Sequence, residues 1–104
     1  MPSLVDLDAT PNDPAARHKY EFAAKIRAAR AILGWSQKEL SERVGLTQKS
    51  IHRIEQGSVD VRRSTALTLE QALMEVGLQF EALAGGGFKV VVSREAIAPL
   101  RSSE

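Results

Sequence analysis

Apolar residues in the first half of the chain recur at intervals of three and four positions, the spacing of one face of an α-helix. The first such series begins after Ala15 and ends before Gly34, a residue that readily takes the left-handed conformation that terminates helices. Its members are Phe22, Ile26, Ala29 and Leu33. The pattern therefore predicts a long first helix that buries one face.

A second, shorter helix is predicted from Ser36 onward. Ser36 and Glu39 have the spacing of a capping box, in which the hydroxyl and the carboxylate each bond the other residue's backbone N–H. Leu40 and Val44 supply the apolar stripe, and Gly45 follows as the stop signal. The predicted element is a helix of about two turns.

Two further helices follow the same rules. Thr47 is a suitable N-cap for a third helix that turns two isoleucines inward and ends at Gly57. After a loop at 58–62, Ser64 or Thr65 opens a longer fourth helix that stops at Gly77. The inward residues are Ile51 and Ile54 in the third helix and Ala66, Leu69, Leu73 and Val76 in the fourth.

Residues 78–83 and 88–92 have the pattern of strands. Apolar and polar residues alternate in the first segment, the second carries three consecutive valines, and Gly85-Gly86-Gly87 lies between them. Glycine tolerates the positive φ angles of a hairpin loop, so we predict a β-hairpin. Because an isolated two-stranded hairpin is marginal in water, these strands should pack on helices or pair with another chain.

The chain divides into four predicted parts. Residues 1–16, with three prolines and three aspartates, form a flexible acidic arm, and residues 17–77 form the helical domain. Residues 78–93 form the hairpin, a possible dimerisation element. Residues 94–104, which contain a proline and end in serines and glutamate, form a frayed tail that could begin with a helical turn.

Composition excludes several classes of protein. The 104 residues suffice for one domain, and with no cysteine and two histidines the chain lacks thiolate or all-histidine metal sites and thiol nucleophiles. No apolar run is long enough to span a bilayer, and no secretory signal is present. We therefore expect a cytoplasmic protein that is not associated with a membrane, binds no metal, cofactor or small molecule, and has no enzymatic activity. The glycine triplet lies between two predicted strands, so it is interpreted as a turn and not as a phosphate-binding loop.

The positive charge is concentrated in the middle of the chain. From Arg17 to Arg63 there are 11 Lys/Arg and five Asp/Glu, a net charge of +6, whereas the remaining residues have a net charge of −5. A basic region of this kind is typical of a surface that binds an anionic polymer, although it is also compatible with a solvated helix face.

The segment from Ser36 to Gly57 has the spacing of a helix-turn-helix, in which the second helix enters the DNA major groove. The residues in and just before this segment form an ordered set: Ile26-Arg27, Gly34-Trp35-Ser36-Gln37, Glu39-Leu40, Val44-Gly45-Leu46-Thr47 and Ile51-His52-Arg53-Ile54-Glu55-Gln56-Gly57. In this ordered set, residues 20–76 resemble the lambda repressor/Cro family of helix-turn-helix regulators, the xenobiotic response element family. The resemblance implies a compact five-helix DNA-binding domain that acts as a dimer on an inverted repeat.

One departure concerns the fifth helix, because strand-like sequence begins at Leu78. The expected fold is therefore mainly α, a four- to five-helix lambda-repressor-like domain with a C-terminal β-hairpin. Trp35 is expected to lie in the core between the first two helices. The resemblance also suggests that Arg30 pairs with Glu55, whose carboxylate would otherwise repel DNA.

The outward face of the third helix carries the predicted DNA contacts. Gln48 suits bidentate bonding to adenine and Lys49 to guanine, whereas His52 could contact a base or a phosphate and Arg53 is as suited to phosphate. The resemblance implies a phosphate contact for Gln37, at the start of the second helix. The full predicted DNA-binding set is Gln37, Lys38, Thr47, Gln48, Lys49, His52, Arg53 and Gln56.

These features favour a transcriptional repressor that binds double-stranded DNA as a homodimer. The valine-rich strand offers an edge through which two copies could pair, unless the hairpin folds back on its own helical domain. The main alternative is the antitoxin of a toxin–antitoxin pair, with the acidic arm or the tail capturing a toxin partner. A protein-interaction adaptor without DNA affinity is a further possibility.

Overall fold

The computed structural model describes residues 14–97; the predicted acidic arm before Pro14 and the tail after Ile97 lie outside the described residues. Four helices are followed by a two-stranded antiparallel sheet and one 3-10 turn. The elements are α1 (Pro14–Leu33), α2 (Gln37–Val44), α3 (Gln48–Glu55), α4 (Arg63–Glu75), β1 (Leu78–Ala82), β2 (Phe88–Val92) and the turn Arg94–Ala96. The fold is mainly α with a C-terminal hairpin, as predicted.

The ends of α2 and α3 follow the sequence signals. Ser36 and Glu39 form the predicted capping box: the Glu39 N–H donates to the Ser36 Oγ at 3.0 Å, and the Ser36 N–H donates to the Glu39 Oε1 at 2.8 Å. Thr47 caps α3 by accepting from the Ser50 N–H at 3.0 Å. Gly45 ends α2 with a φ of +74°, a left-handed conformation that glycine adopts without the strain that a Cβ would cause.

Two boundaries differ from the sequence prediction. The first helix begins at Pro14, inside the predicted arm of residues 1–16, because proline is favoured in the first turn of a helix, where its missing N–H is not needed. The fourth helix begins at Arg63, before the predicted start at Ser64 or Thr65, and its N-cap Arg62 forms no side-chain cap bond. Val61, which packs against the core, fixes the chain just before this start.

The core is shared by all four helices and the hairpin. Trp35 lies at its edge with 9% of its surface exposed, so its predicted place in the core is confirmed. Ala96, from the 3-10 turn, is also buried in this cluster. The largest fully buried side chains are Ile26, Leu40, Ile51, Leu69, Leu73 and Leu78. The hairpin is therefore continuous with the helical core, and no fifth helix follows α4 within residues 14–97.

The hairpin folds back on its own helices. Its two strands pair with Phe80 opposite Val90, and alternate residues face the helical layer. The rings of Phe80 and Phe88 meet edge to face at 6.0 Å, and the Lys25 Nζ of α1 lies 5.7 Å from each ring centre. Glu21, also on α1, accepts a bond from the Gly87 N–H at 3.0 Å. One sheet face is thus covered by the chain itself.

Gly77 joins α4 to the hairpin, and its replacement by alanine is expected to destabilise the fold. Its φ is +102°, and an added Cβ would collide with Ser93 Oγ and come within 3.1 Å of the Ala96 Cβ. Gly86 has a matched φ of +103° with nothing within 4 Å of an added Cβ. We expect G77A to lower the free energy of unfolding by about 1–2 kcal/mol more than G86A, measured by denaturant unfolding. Equal losses would mean that the space around Gly77 does not matter.

Candidate nucleic-acid interface

The third helix has one buried and one exposed side. Ile51, Ile54 and Glu55 are buried, as the sequence pattern predicted for the isoleucines. The opposite side is exposed and uniformly polar along the helix. It carries Gln48, Lys49, His52, Arg53 and the C-cap Gln56, and the N-cap Thr47 is exposed beside them. Six of the eight predicted DNA contacts therefore lie on one accessible surface, which we call the α3 face.

The turn between α2 and α3 sets the angle at which this face is presented. Gly45 turns the chain, and the Leu46 N–H then donates to the Ser41 carbonyl at 3.0 Å. Ser41 is buried and satisfied, because its hydroxyl donates to the Lys38 carbonyl at 2.7 Å. The two helices thus form a rigid helix-turn-helix unit packed on α1 and α4.

Two arginines of α1 hold the C-terminal end of α3. The Arg30 Nε and Nη2 donate to the two carboxylate oxygens of Glu55 at 2.6 and 2.9 Å, a bidentate pair. The third Arg30 donor, Nη1, binds the Trp35 carbonyl at 2.9 Å. Arg27 Nη1 donates to the Glu55 backbone carbonyl at 2.6 Å. The expected Arg30–Glu55 pair is confirmed, and Arg27 adds a second anchor one turn away on the same side of α1.

The pKa of the Glu55 carboxyl reflects two opposing influences. Burial is the largest single influence, and it raises the pKa because it disfavours the charged form. The hydrogen bonds from Arg30 and Gln37, together with the positive charges of Arg30 and Arg27, outweigh burial and hold the pKa below its ordinary value. The same pair raises the pKa of Arg30. Glu55 is therefore ionised at neutral pH.

This lowered pKa predicts a dependence of stability on pH. As pH falls below the ordinary glutamate pKa of about 4.3, Glu55 takes up a proton in the unfolded chain while it stays ionised in the folded chain. The stability from the pair is thus fully present above that value, and it is lost as pH falls through the lower folded pKa. We expect the difference in unfolding free energy between wild type and E55Q to shrink between pH 6 and pH 3, as measured by denaturant unfolding. A free-energy difference that stays constant between pH 6 and pH 3 would contradict a lowered pKa for Glu55 in the folded chain.

The side-chain amide of Gln37 contacts two side chains of α3. Its Nε2 donates to the Glu55 Oε1 at 3.0 Å and lies 3.4 Å from the Nδ1 of His52. Both N–H groups of this amide thus face protein atoms of α3, and the phosphate contact that the resemblance implies stays a prediction. Gln37 therefore links the start of α2 to the exposed side of the recognition helix.

Further cations lie around the α3 face. The Lys38 side chain is 71% exposed and lies 4.0 Å from Glu42, a solvent-screened pair. Arg53 and Arg62 line one open groove of about 220 Å³ between α3 and the start of α4, together with Asp60. Arg43 stacks over Trp35 at 4.1 Å and shields the indole. Arg62 therefore adds a positive charge beside Arg53 of the α3 face.

The four helices, with α2 and α3 joined by a tight turn, define a helix-turn-helix protein. A helix-turn-helix family model matches residues 26–77, which is half of the chain. The chain belongs to this family, the lambda-repressor-like or xenobiotic response element regulators. A comparison with curated proteins gives no match. Within residues 14–97, no helix is long and apolar enough to cross a membrane.

Sequence reasoning missed the role of Arg27 and the protein partners of Gln37. Arg27 lies three positions before Arg30, so both fall on one side of a helix, and this spacing was the available signal. The partners of Gln37 are 15 and 18 residues away, and no local pattern indicates them. No group of three or more histidine, aspartate or glutamate side chains in the described part of the chain is arranged to hold a metal ion.

Proposed function

We propose that the chain is a sequence-specific transcriptional repressor that acts in the cytoplasm and binds an inverted-repeat operator as a homodimer. The α3 face carries the proposal, because a helix with an apolar buried side and an exposed side of amides and cations matches a major-groove reader. Gln48 and Lys49, in its first turn, are assigned to base edges. Lys38 and Arg53 are assigned to phosphates.

The distribution of charge supports the same orientation on DNA. The basic region from Arg17 to Arg63 contains the whole helix-turn-helix, whereas residues 64–97 carry four Asp/Glu and two Lys/Arg, a net charge of −2. Two of those glutamates, Glu70 and Glu81, pair with Lys25 and Lys89 at 3.9 and 3.4 Å. A duplex would be attracted more strongly to the α2–α3 side than to α4 and the hairpin. Binding should therefore weaken steeply as salt rises.

Selection of bound sequences from a random duplex pool at about 0.15 M salt tests the proposal. Wild type should enrich an inverted repeat whose half-sites lie about 34 Å apart. The double variant K49E/R53E, with both changes on exposed positions, should enrich nothing. The control R94E, a single charge reversal outside the α3 face at an exposed position of the 3-10 turn, should enrich the wild-type sequence.

Enrichment of the same sequence by K49E/R53E would refute the role of the α3 face. If wild type also enriches nothing, a pull-down decides between the other classes. A co-encoded partner that restores enrichment would favour the antitoxin, and a partner without DNA binding would favour the adaptor.

We propose further that two copies pair through the outer edge of β2, because the packing of the hairpin on its own helices covers a sheet face and leaves this edge unpaired within residues 14–97. The Ser93 N–H donates to the Gly77 carbonyl and the Leu83 N–H to the Gly87 carbonyl. Because hydrogen-bonded pairs alternate along an antiparallel ladder, Lys89 and Val91 are bonded to β1, and the N–H of Val90 points away from it. An antiparallel pairing about Val90 would place Lys89 of one copy opposite Val91 of the other, with no like charges facing. Val91 is 40% exposed on the outer face.

A proline at position 90 tests this mode of dimerisation. V90P removes an outward N–H and no bond within the hairpin, so it should yield a monomer with wild-type helix content. V91T, whose backbone groups face β1, should remain dimeric. Molecular mass by light scattering and helix content by circular dichroism give the answer. A dimeric V90P would place the interface elsewhere.

A further inference from the structure

A chain of polar contacts runs from α1 through the core-facing end of α3 to the α3 face. Arg30 fixes the Glu55 carboxylate, Glu55 binds Gln37, and Gln37 reaches His52. Glu55 is 5% exposed, so its carboxylate has a fixed position and few other partners. His52 is exposed, and residues 14–97 supply its ring with no other hydrogen bond. We propose that Gln37 is a positioning residue that fixes His52 as an Nε2–H donor aimed at the DNA.

The orientation of the Gln37 amide follows from Glu55. An ionised carboxylate only accepts hydrogen bonds, so the atom 3.0 Å from the Glu55 Oε1 must be the amide nitrogen and not its oxygen. The nitrogen has two hydrogens. One is directed to Glu55, and the second is available to the His52 Nδ1 at 3.4 Å.

The tautomer of His52 follows from Gln37. The His52 Nδ1 faces a donor, so it carries a lone pair, and the hydrogen of the neutral ring lies on Nε2. The ring then offers an N–H to the outside. Its partners on DNA are acceptors, namely a purine N7, the guanine O6, the thymine O4 or a phosphate oxygen, and the amino groups of adenine and cytosine are excluded.

This role differs from the phosphate contact that Gln37 was expected to make. A phosphate ligand would contribute to binding independently of His52, whereas a positioning residue contributes only through His52. The role presupposes the proposed function, since it matters for recognition only if the α3 face binds DNA.

A double-mutant cycle separates these roles. The variants are Q37M, H52A and Q37M/H52A, and the matched control is Q71M at an exposed position of α4. The probe is the duplex that the full-length wild type enriches. We expect Q37M to weaken binding about five- to tenfold in the wild-type background and less than about twofold when His52 is already alanine. Q71M should bind like wild type. Equal losses in both backgrounds would overturn the proposal in favour of a direct contact.

A measurement without DNA tests the network even if no sequence is enriched. Long-range ¹H–¹⁵N spectra of the full-length chain at pH about 8, where an ordinary histidine is neutral, report which ring nitrogen carries the hydrogen. Wild type should show His52 only as the Nε2–H form, and Q37M should show a measurable Nδ1–H population. A wild-type ring with its hydrogen on Nδ1, or spectra that Q37M leaves unchanged, would refute the positioning role. The spectra thus test the contact between Gln37 and His52 separately from the proposed binding of DNA by the α3 face.

Discussion

Replacing Arg30 by alanine is expected to lower the free energy of unfolding by about 3 kcal/mol. The Glu55 side chain is only 4% exposed, and in the variant its carboxylate keeps the bond from Gln37 and the nearby Arg27 charge but loses its bidentate partner. The loss therefore arises mainly from a buried charge that is no longer fully compensated. It also removes the bond to the Trp35 carbonyl at 2.9 Å. Urea unfolding at pH 7 measures the change.

Three comparisons make this result interpretable. K38A breaks an exposed pair and should change the unfolding free energy by less than about 0.5 kcal/mol. R30K keeps the charge without the bidentate geometry and should fall between wild type and R30A. R30M/E55M removes both charges and should recover most of the loss, because the buried carboxylate is gone. An R30A protein as stable as K38A would show that Glu55 finds another partner.

Replacing Gln48 by alanine is expected to reduce discrimination at one base pair by about 2 kcal/mol, roughly thirtyfold. Gln48 is the first residue of α3, fully outside the core, and its amide can pair with adenine N6 and N7. Competition binding on the enriched duplex and its single-base variants measures the effect. Affinity for unrelated duplex should stay nearly unchanged, since phosphate contacts supply it.

The control for this prediction is Q71A on exposed α4, which should retain the full base preference. Equal weakening by Q48A on every sequence would refute base reading at this position. It would leave Gln48 with a backbone contact, which fixes the protein on the duplex without specifying bases.

The helices were predictable because their signals are local. The Ser36 capping box, the Thr47 cap and the positive φ of Gly34, Gly45 and Gly57 each act within a few residues. Apolar spacing then identifies the buried side of each helix without knowledge of the partner. The same local rules located both strands and the glycine loop between them.

The remaining features depend on contacts between distant residues. Nothing near Phe80 or Val90 in the sequence shows that the inner hairpin face packs on the chain's own helices. The amide of Gln37 turns away from solvent only because a buried carboxylate arrives from a residue 18 positions later. Side-chain type predicted which residues lie on the α3 face, but the partners of each side chain required the fold.

Synthesis of the chain from its N-terminus delays completion of the core until nearly the last described residue. Leu78 and Ala96 belong to the same buried cluster as Ile26. Glu21 accepts a hydrogen bond from the N–H of Gly87, which is synthesised 66 residues later. A nascent or prematurely terminated chain that ends at Gly77 would have its helix-turn-helix but an open core, a form prone to aggregation and proteolysis. Truncated copies of this length would therefore be lost to proteolysis or aggregation more readily than the full chain.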